Sequence, residues 1–311
     1  MSQSSTGPVV VARNLRKTFD EVIAVDDLSL EVAAGEVVGL LGPNGAGKTT
    51  TIKMLTTQLS IDSGSATVDS FDIATEGDAV RRSIGLAGQA AAVDDKLTAR
   101  ENLDLFARLY HLPRGERKDR VEELIAKFRL DDFADQPAGT LSGGQRRRLD
   151  IVAALITSPP AIFLDEPTTG LDPRSRAEIW EEIRRLAGEG AAIVLTTQYL
   201  DEADQLADRI ILIDKGRVVA EGAQADLKSQ LEQDVLLVKL VDSDQLATAR
   251  SAAGTSEVHA SDATTLHISV ASAEHSLAIL EAMRDAGVGL EDFNLKKPTL
   301  DDVFLALTDV S

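Results

Sequence analysis

The chain has no cysteine. Disulfides, thiolate metal sites and a cysteine nucleophile are therefore excluded, and a reducing compartment suits it. Basic residues are in deficit: 32 Lys and Arg stand against 51 Asp and Glu, giving a formal net charge of −19. Neutralising the phosphates of a nucleic acid needs clustered Lys and Arg, so no nucleic-acid partner is expected. The same acidity disfavours direct adsorption to anionic lipid and otherwise serves solubility. Long apolar runs are missing as well. Residues 1–8 are polar and read as a loose tail without the apolar segment of a secretory leader. Nothing approaches the roughly 18–20 apolar residues that span a bilayer. Runs such as 37–41 and 191–195 have strand length instead. What remains is ample for burial: 311 residues, 43% of them hydrophobic, can form one large domain or a large and a small one.

From residue 9 to about 222, short apolar runs alternate with amphipathic helical stretches, which predicts an α/β layered fold with a largely parallel sheet. Buried strands are expected at 37–41, 162–165 and 192–195. Runs at 210–213 and 217–220 flank Asp214-Lys215-Gly216, the pattern of a hairpin. Between about 92 and 158 the strand signals stop. Thr98 precedes Glu101 by three residues, a capping-box pattern. Leu103, Phe106, Leu109 and Tyr110 then recur at helical spacing, as do Val121, Leu124, Ile125 and Phe128. This stretch is predicted to be an all-helical insert. After residue 222 the character changes. Strands are expected at 235–241 and 265–270, and a helix at 273–286. A last helix is capped by Thr299, with Leu300, Val303, Phe304 and Leu307 on one face. Residues 225–311 therefore read as a small α+β domain with no catalytic cluster.

Gly42-Pro43-Asn44-Gly45-Ala46-Gly47-Lys48-Thr49 fits the phosphate-loop pattern between a strand and a helix. Its glycines let the backbone curl so that several N–H groups face one anion, and the helix N-terminus adds positive potential there. Lys48 supplies a point charge for β- and γ-phosphates, and the Thr49 hydroxyl can ligate Mg²⁺. Thr50 can add a phosphate donor, whereas Thr51 reads as an ordinary helix residue. The second chemical signal is the run 162–164, an apolar strand ending in Asp165 and Glu166. An Asp in that place holds Mg²⁺, directly or through water. Glu166 can take a proton from the water attacking the γ-phosphate, or orient that water.

Leu141-Ser142-Gly143-Gly144-Gln145 resembles the signature sequence of ABC ATPases, and the resemblance extends over residues 9–222. It implies a phosphate-loop NTPase core with a helical subdomain. It also implies two cassettes packed head to tail around two ATPs, with Ser142, Gly143, Gly144 and Gln145 facing the ATP held by the partner's loop. One phosphate loop and one signature per chain then imply a homodimer. By the same resemblance Phe19 stacks on adenine, Gln89 approaches Mg²⁺ and senses the permease, and Gly170-Leu171-Asp172 crosses the dimer interface. The implied setting is the cytoplasmic face of the cell membrane, on a separate integral-membrane permease docked against the helical insert and the Gln89 loop. Lys297-Pro298-Thr299-Leu300-Asp301-Asp302-Val303-Phe304-Leu305-Ala306-Leu307-Thr308 is similar to the ending of the daunorubicin/doxorubicin-resistance type of drug-export ATPases. So is Thr196-Thr197-Gln198-Tyr199-Leu200-Asp201-Glu202-Ala203-Asp204. Export of a hydrophobic small molecule follows from that resemblance. Lipid or polysaccharide export, a soluble non-transport ABC ATPase and a non-hydrolysing nucleotide-gated module are the alternatives.

One residue departs from the family. Most members carry a histidine at the γ-phosphate where this chain has Gln198. An amide can donate to phosphate but carries no positive charge and relays no proton, so slow hydrolysis dependent on Glu166 is predicted. The alternative reading of Gln198 is a helix cap, and that of Phe19 is plain core. Arg146-Arg147-Arg148 reads as a solvated helix face, with attraction of phosphate as the alternative. The acids of 200–204 read as a helix N-terminal turn.

Overall fold

The computed structural model describes residues 7–229, 234–297 and 302–303. These fall into two compact units, 1–221 and 222–311. The first opens with β1 (Val10–Phe19), β2 (Val22–Val32), β3 (Val37–Leu41) and helix α1 (Lys48–Leu55). Next come β4 (Ser63–Val68), β5 (Phe71–Asp72), α2 (Gly77–Ser83) and β6 (Ile84–Ala87). Three helices follow: α3 (Ala99–Leu109), α4 (Arg114–Lys127) and α5 (Gly143–Ala154). The unit continues through β7 (Ala161–Asp165), α6 (Pro173–Gly188), β8 (Ala192–Thr197), α7 (Leu200–Leu206), β9 (Arg209–Asp214) and β10 (Arg217–Gly222).

One sheet has the order β10-β9-β3-β8-β7-β6, with parallel pairing from β9 through to β6. Every residue of β3, β7 and β8 is buried, as expected for parallel strands covered on both faces. Their continuous apolar runs are what made them legible. The β9–β10 hairpin turns on Lys215 at φ 46° and Gly216 at φ 81°, both left-handed as a two-residue primed turn needs. A second, antiparallel sheet, β2-β1-β4-β5, was not anticipated by the expectation of a largely parallel fold.

Thr98 and Glu101 form both halves of the capping box that starts α3. Leu103, Val121, Leu124, Ile125 and Phe128 pack into a core shared with β7, β8 and α6. Leu109 departs from its predicted face and is 61% exposed. Among the described residues no strand lies between β6 and β7.

The second unit holds α8 (Gln224–Ser229), β11 (Asp234–Leu240), α9 (Leu246–Ala252), β12 (Val258–Ala260), β13 (Thr265–Val270), α10 (Ala273–Asp285) and β14 (Leu290–Lys296). Its sheet is antiparallel in the order β12-β13-β11-β14. Leu236, Val238, Leu266 and Ile268 pack with Ile279 and Met283 of α10. His267 Nδ1 meets the buried Asp302 carboxylate at 2.5 Å. The helix predicted after Thr299 lies outside the described residues except for 302–303, which are helical.

Candidate functional site

The site is built where β3 gives way to α1. Gly42 follows the last residue of β3, and a side chain there would bring a Cβ within 2.1 Å of the Ile213 carbonyl oxygen. Gly47 caps α1 at φ 107°, and its Cβ would lie 2.4 Å from the Ala24 carbonyl oxygen. Glycine is therefore forced at both ends of the loop, by contact at the first and by backbone and contact at the second. Gly216 at the hairpin tip donates its N–H to Ala46 O at 3.0 Å, bracing the loop from outside. The first turn of α1 leaves its N–H groups without helical partners, and no side chain caps it.

Lys48 is buried and folds back over the loop, donating from Nζ to Gly42 O at 2.7 Å and Pro43 O at 2.9 Å. Burial lowers its proton affinity, against the opposing charges of Glu166 and Asp165. Thr51 donates its hydroxyl back to Gly47 O at 3.0 Å, the role of an ordinary helix residue.

Asp165 ends β7 in a buried position. Its Oδ1 accepts from Thr49 Oγ1 at 3.0 Å and from Thr196 Oγ1 at 2.6 Å. Gln89, just beyond β6, donates from Nε2 to Thr49 Oγ1 at 3.4 Å. Glu166 has φ 48°, a left-handed conformation uncommon for a residue with a side chain. Its N–H is held by Thr196 O at 3.2 Å and Thr196 Oγ1 at 3.0 Å, and its Oε2 accepts from Thr169 Oγ1 at 3.2 Å. Thr196 thus orients both acids. It was missed in the sequence, where two threonines ending an apolar run were the only signal.

A cleft of about 160 Å³ is lined by Asn44, Gly45, Ala46, Gly47, Lys48, Thr49, Thr50, Gln89 and Glu166. A neighbouring cleft of about 390 Å³ is lined by Gln89, Gly143 and Glu166, among others. The phosphate loop, Gln89 and Glu166 are therefore brought together in one chain. Ser142, Gly144 and Gln145 do not line the smaller cleft. Ser142 caps α5 and forms a reciprocal capping box with Gln145. Asp172 caps α6, accepting from the N–H groups of Arg174 and Ser175. Gln198 lines neither cleft, and it is no helix cap, since Tyr199 precedes α7 without a side-chain bond. Phe19 is 43% exposed, which rules out plain core. It ends the β-hairpin whose second strand carries Ala24 to the cleft wall.

The arginine run overturns its expectation. Arg147 is 8% exposed, Arg146 pairs with Asp95 at 2.6 Å, and Arg148 pairs with Glu178. None of the three stands alone in solvent.

The chain matches the family described as ABC transporter over residues 25–169, and that of the ATP-binding protein DrrA1-3-like, C-terminal domain, over residues 222–308. It is 47% identical to the daunorubicin resistance ATP-binding protein DrrA3 of Streptomyces coeruleorubidus, over 94% of this chain and 93% of that one. Its identity to the daunorubicin/doxorubicin resistance ATP-binding protein DrrA of Streptomyces peucetius is 46%, over 94% and 90%. Among solved structures, a dimeric ATP-binding cassette in a post-hydrolysis state, bound to ADP and Pi, superposes with a TM-score of 0.61 at 28% identity. That match covers 69% of this chain and 98% of the other. The chain belongs to the ATP-binding subunits of ABC transporters, and within them to the daunorubicin/doxorubicin-resistance type. It is an ATPase whose hydrolysis is coupled to transport. Subunits of this kind work with separate membrane permease components. Among the described residues no helix is long and apolar enough to cross a membrane.

Proposed function

We propose that this subunit energises export of a hydrophobic drug-like molecule through a permease at the inner face of the cell membrane, working as a homodimer that closes on two ATPs. The observation that carries the reading is the convergence of Lys48, Thr49, Gln89, Asp165 and Glu166. The names of the relatives, which concern daunorubicin and doxorubicin resistance, support the substrate class.

In this reading the open N–H groups of the loop and Lys48 bind the β- and γ-phosphates. Phe19 offers an exposed ring to the base, and Thr50 adds a donor. The donor set suits Mg²⁺: Thr49 Oγ1 and Asp165 Oδ1 are oxygens 3.0 Å apart, and Gln89 adds a carboxamide whose oxygen and nitrogen can exchange places. When bound, Mg²⁺ supplies charge neutralisation on the phosphates. Glu166 accepts the proton of the attacking water. Asp165, already engaged by two hydroxyls, keeps to metal and loop positioning.

Ser142, Gly143, Gly144 and Gln145 are read as contacts to the partner's nucleotide, and Asp172 as an interface residue. That the signature serine and glutamine stand apart from their own chain's phosphate cleft supports the two-chain site. The dimeric solved neighbour supports it too.

ATP turnover of the parent and of Glu166→Gln, followed by sizing with ATP and Mg²⁺, tests this. The variant is expected to lose turnover by about 100-fold or more and to elute as a dimer with ATP. Turnover within a few fold of the parent overturns the role of Glu166. A monomer with ATP overturns the sandwich.

A further inference from the structure

Arg147 and Asp150 lie one turn apart on α5, the helix that Ser142 caps, and both are buried. Arg147 donates from Nε to Pro167 O at 2.9 Å and from Nη2 to Asp165 O at 3.2 Å. Its Nη1 serves Gly88 O and, at 3.1 Å, Asp150 Oδ2. The other Asp150 oxygen accepts the Ala92 N–H at 2.7 Å. Two consequences follow from this wiring. Residues 88–92, which carry Gln89, are held at one end by Arg147 and at the other by Asp150. The turn carrying Glu166 is held through the carbonyl on each side of it. Glu166 also sits in the left-handed region, a conformation that persists only where the surroundings determine it.

A buried guanidinium is costly unless its donors are met. Here a planar fork finds three carbonyls and a carboxylate at once, which one ammonium could not match. The ion pair gives fixed geometry more than net stability.

We propose that Arg147, together with Asp150, is a positioning residue that couples the Gln89 segment to the aim of Glu166. A displacement of residues 88–92 reaches the catalytic turn through one side chain on the signature helix. The inference rests on the reading of Glu166 as proton acceptor and Gln89 as permease sensor. It adds the physical link between them.

The test compares Arg147→Lys, which keeps charge but not the fork, and Asp150→Asn, which keeps an acceptor for Ala92 but loses the pair. Both are measured in the full chain for kcat, KM for ATP, and hydrogen exchange in peptides covering 88–93 and 163–170. Arg147→Lys is expected to lower kcat about 10-fold or more, because a small misplacement of a catalytic group is that costly, with KM for ATP within about twofold. Exchange rises in both peptides while α5 stays protected. Asp150→Asn is expected to loosen 88–93 and, through Arg147, also 163–170, so it remains informative if Arg147→Lys fails to fold. Exchange confined to one peptide, parental kcat, or equal losses in kcat and ATP affinity overturn the coupling. Glu166→Gln separates the two claims. If it keeps turnover, the reading of Glu166 fails whatever the clamp does. If it is inactive and the clamp variants behave as the parent, the coupling alone fails.

Discussion

At the scale of single residues, the acids at the end of β7 are not independent. Thr196 donates its hydroxyl to Asp165 and accepts the N–H of Glu166 through the same oxygen. One small side chain on the neighbouring strand therefore sets the direction of both acids, the one proposed for the metal and the one proposed as proton acceptor. Gln198 stands two residues further on, where the strand has ended. It brings neither charge nor proton relay, so turnover is expected to lean on Glu166 alone. Gln198→His is expected to keep or raise kcat, as steady-state phosphate release would show. A large loss in that variant would contradict the γ-phosphate position that the family resemblance implies for this residue.

At the scale of elements, legibility followed burial. The strands β3, β7 and β8 are buried throughout, so their apolar runs were continuous and their polar ends stood out as Gly42 and Asp165. Helix α3 was legible from its cap. Thr98→Ala is expected to cost about 1 kcal/mol of stability, read as a lower denaturant midpoint with unchanged slope. The pair β1–β2 was not legible. Register shifts interrupt its pairing between Ala12 and Leu15 and again near Lys17, and Asn14, Asp20 and Asp27 have positive φ. Such irregularities break the two-residue alternation that marks a half-buried strand. Arg146, Arg147 and Arg148 misled for a geometric reason. Neighbours on a helix are about 100° apart, so three consecutive arginines cannot share one face. One reaches Asp95, one the buried carbonyls, and one Glu178. Consecutive like charges in a helix are better read as three directions than as a patch.

At the scale of the whole molecule, the charge of −19 constrains how the subunit reaches a membrane. Attraction to anionic lipid requires basic clusters. The purified chain is expected to stay in the supernatant when sedimented with anionic vesicles at low salt, and to pellet only with membranes that hold its permease. Co-sedimentation with bare vesicles would show a lipid-binding face of its own. The strand order carries a consequence of a different kind. β8 lies between β3 and β7, and it is made last of the three. Leu41 is in register with Thr197, and Asp165 with Thr196. A chain growing from its N-terminus therefore completes its phosphate loop and its acidic pair before the strand that lies between β3 and β7 has been made. The hydrogen bonds from Thr196 to Asp165 and Glu166 cannot form until β8 has been made, so ATP is expected to stabilise the complete site only near the end of the cassette's synthesis.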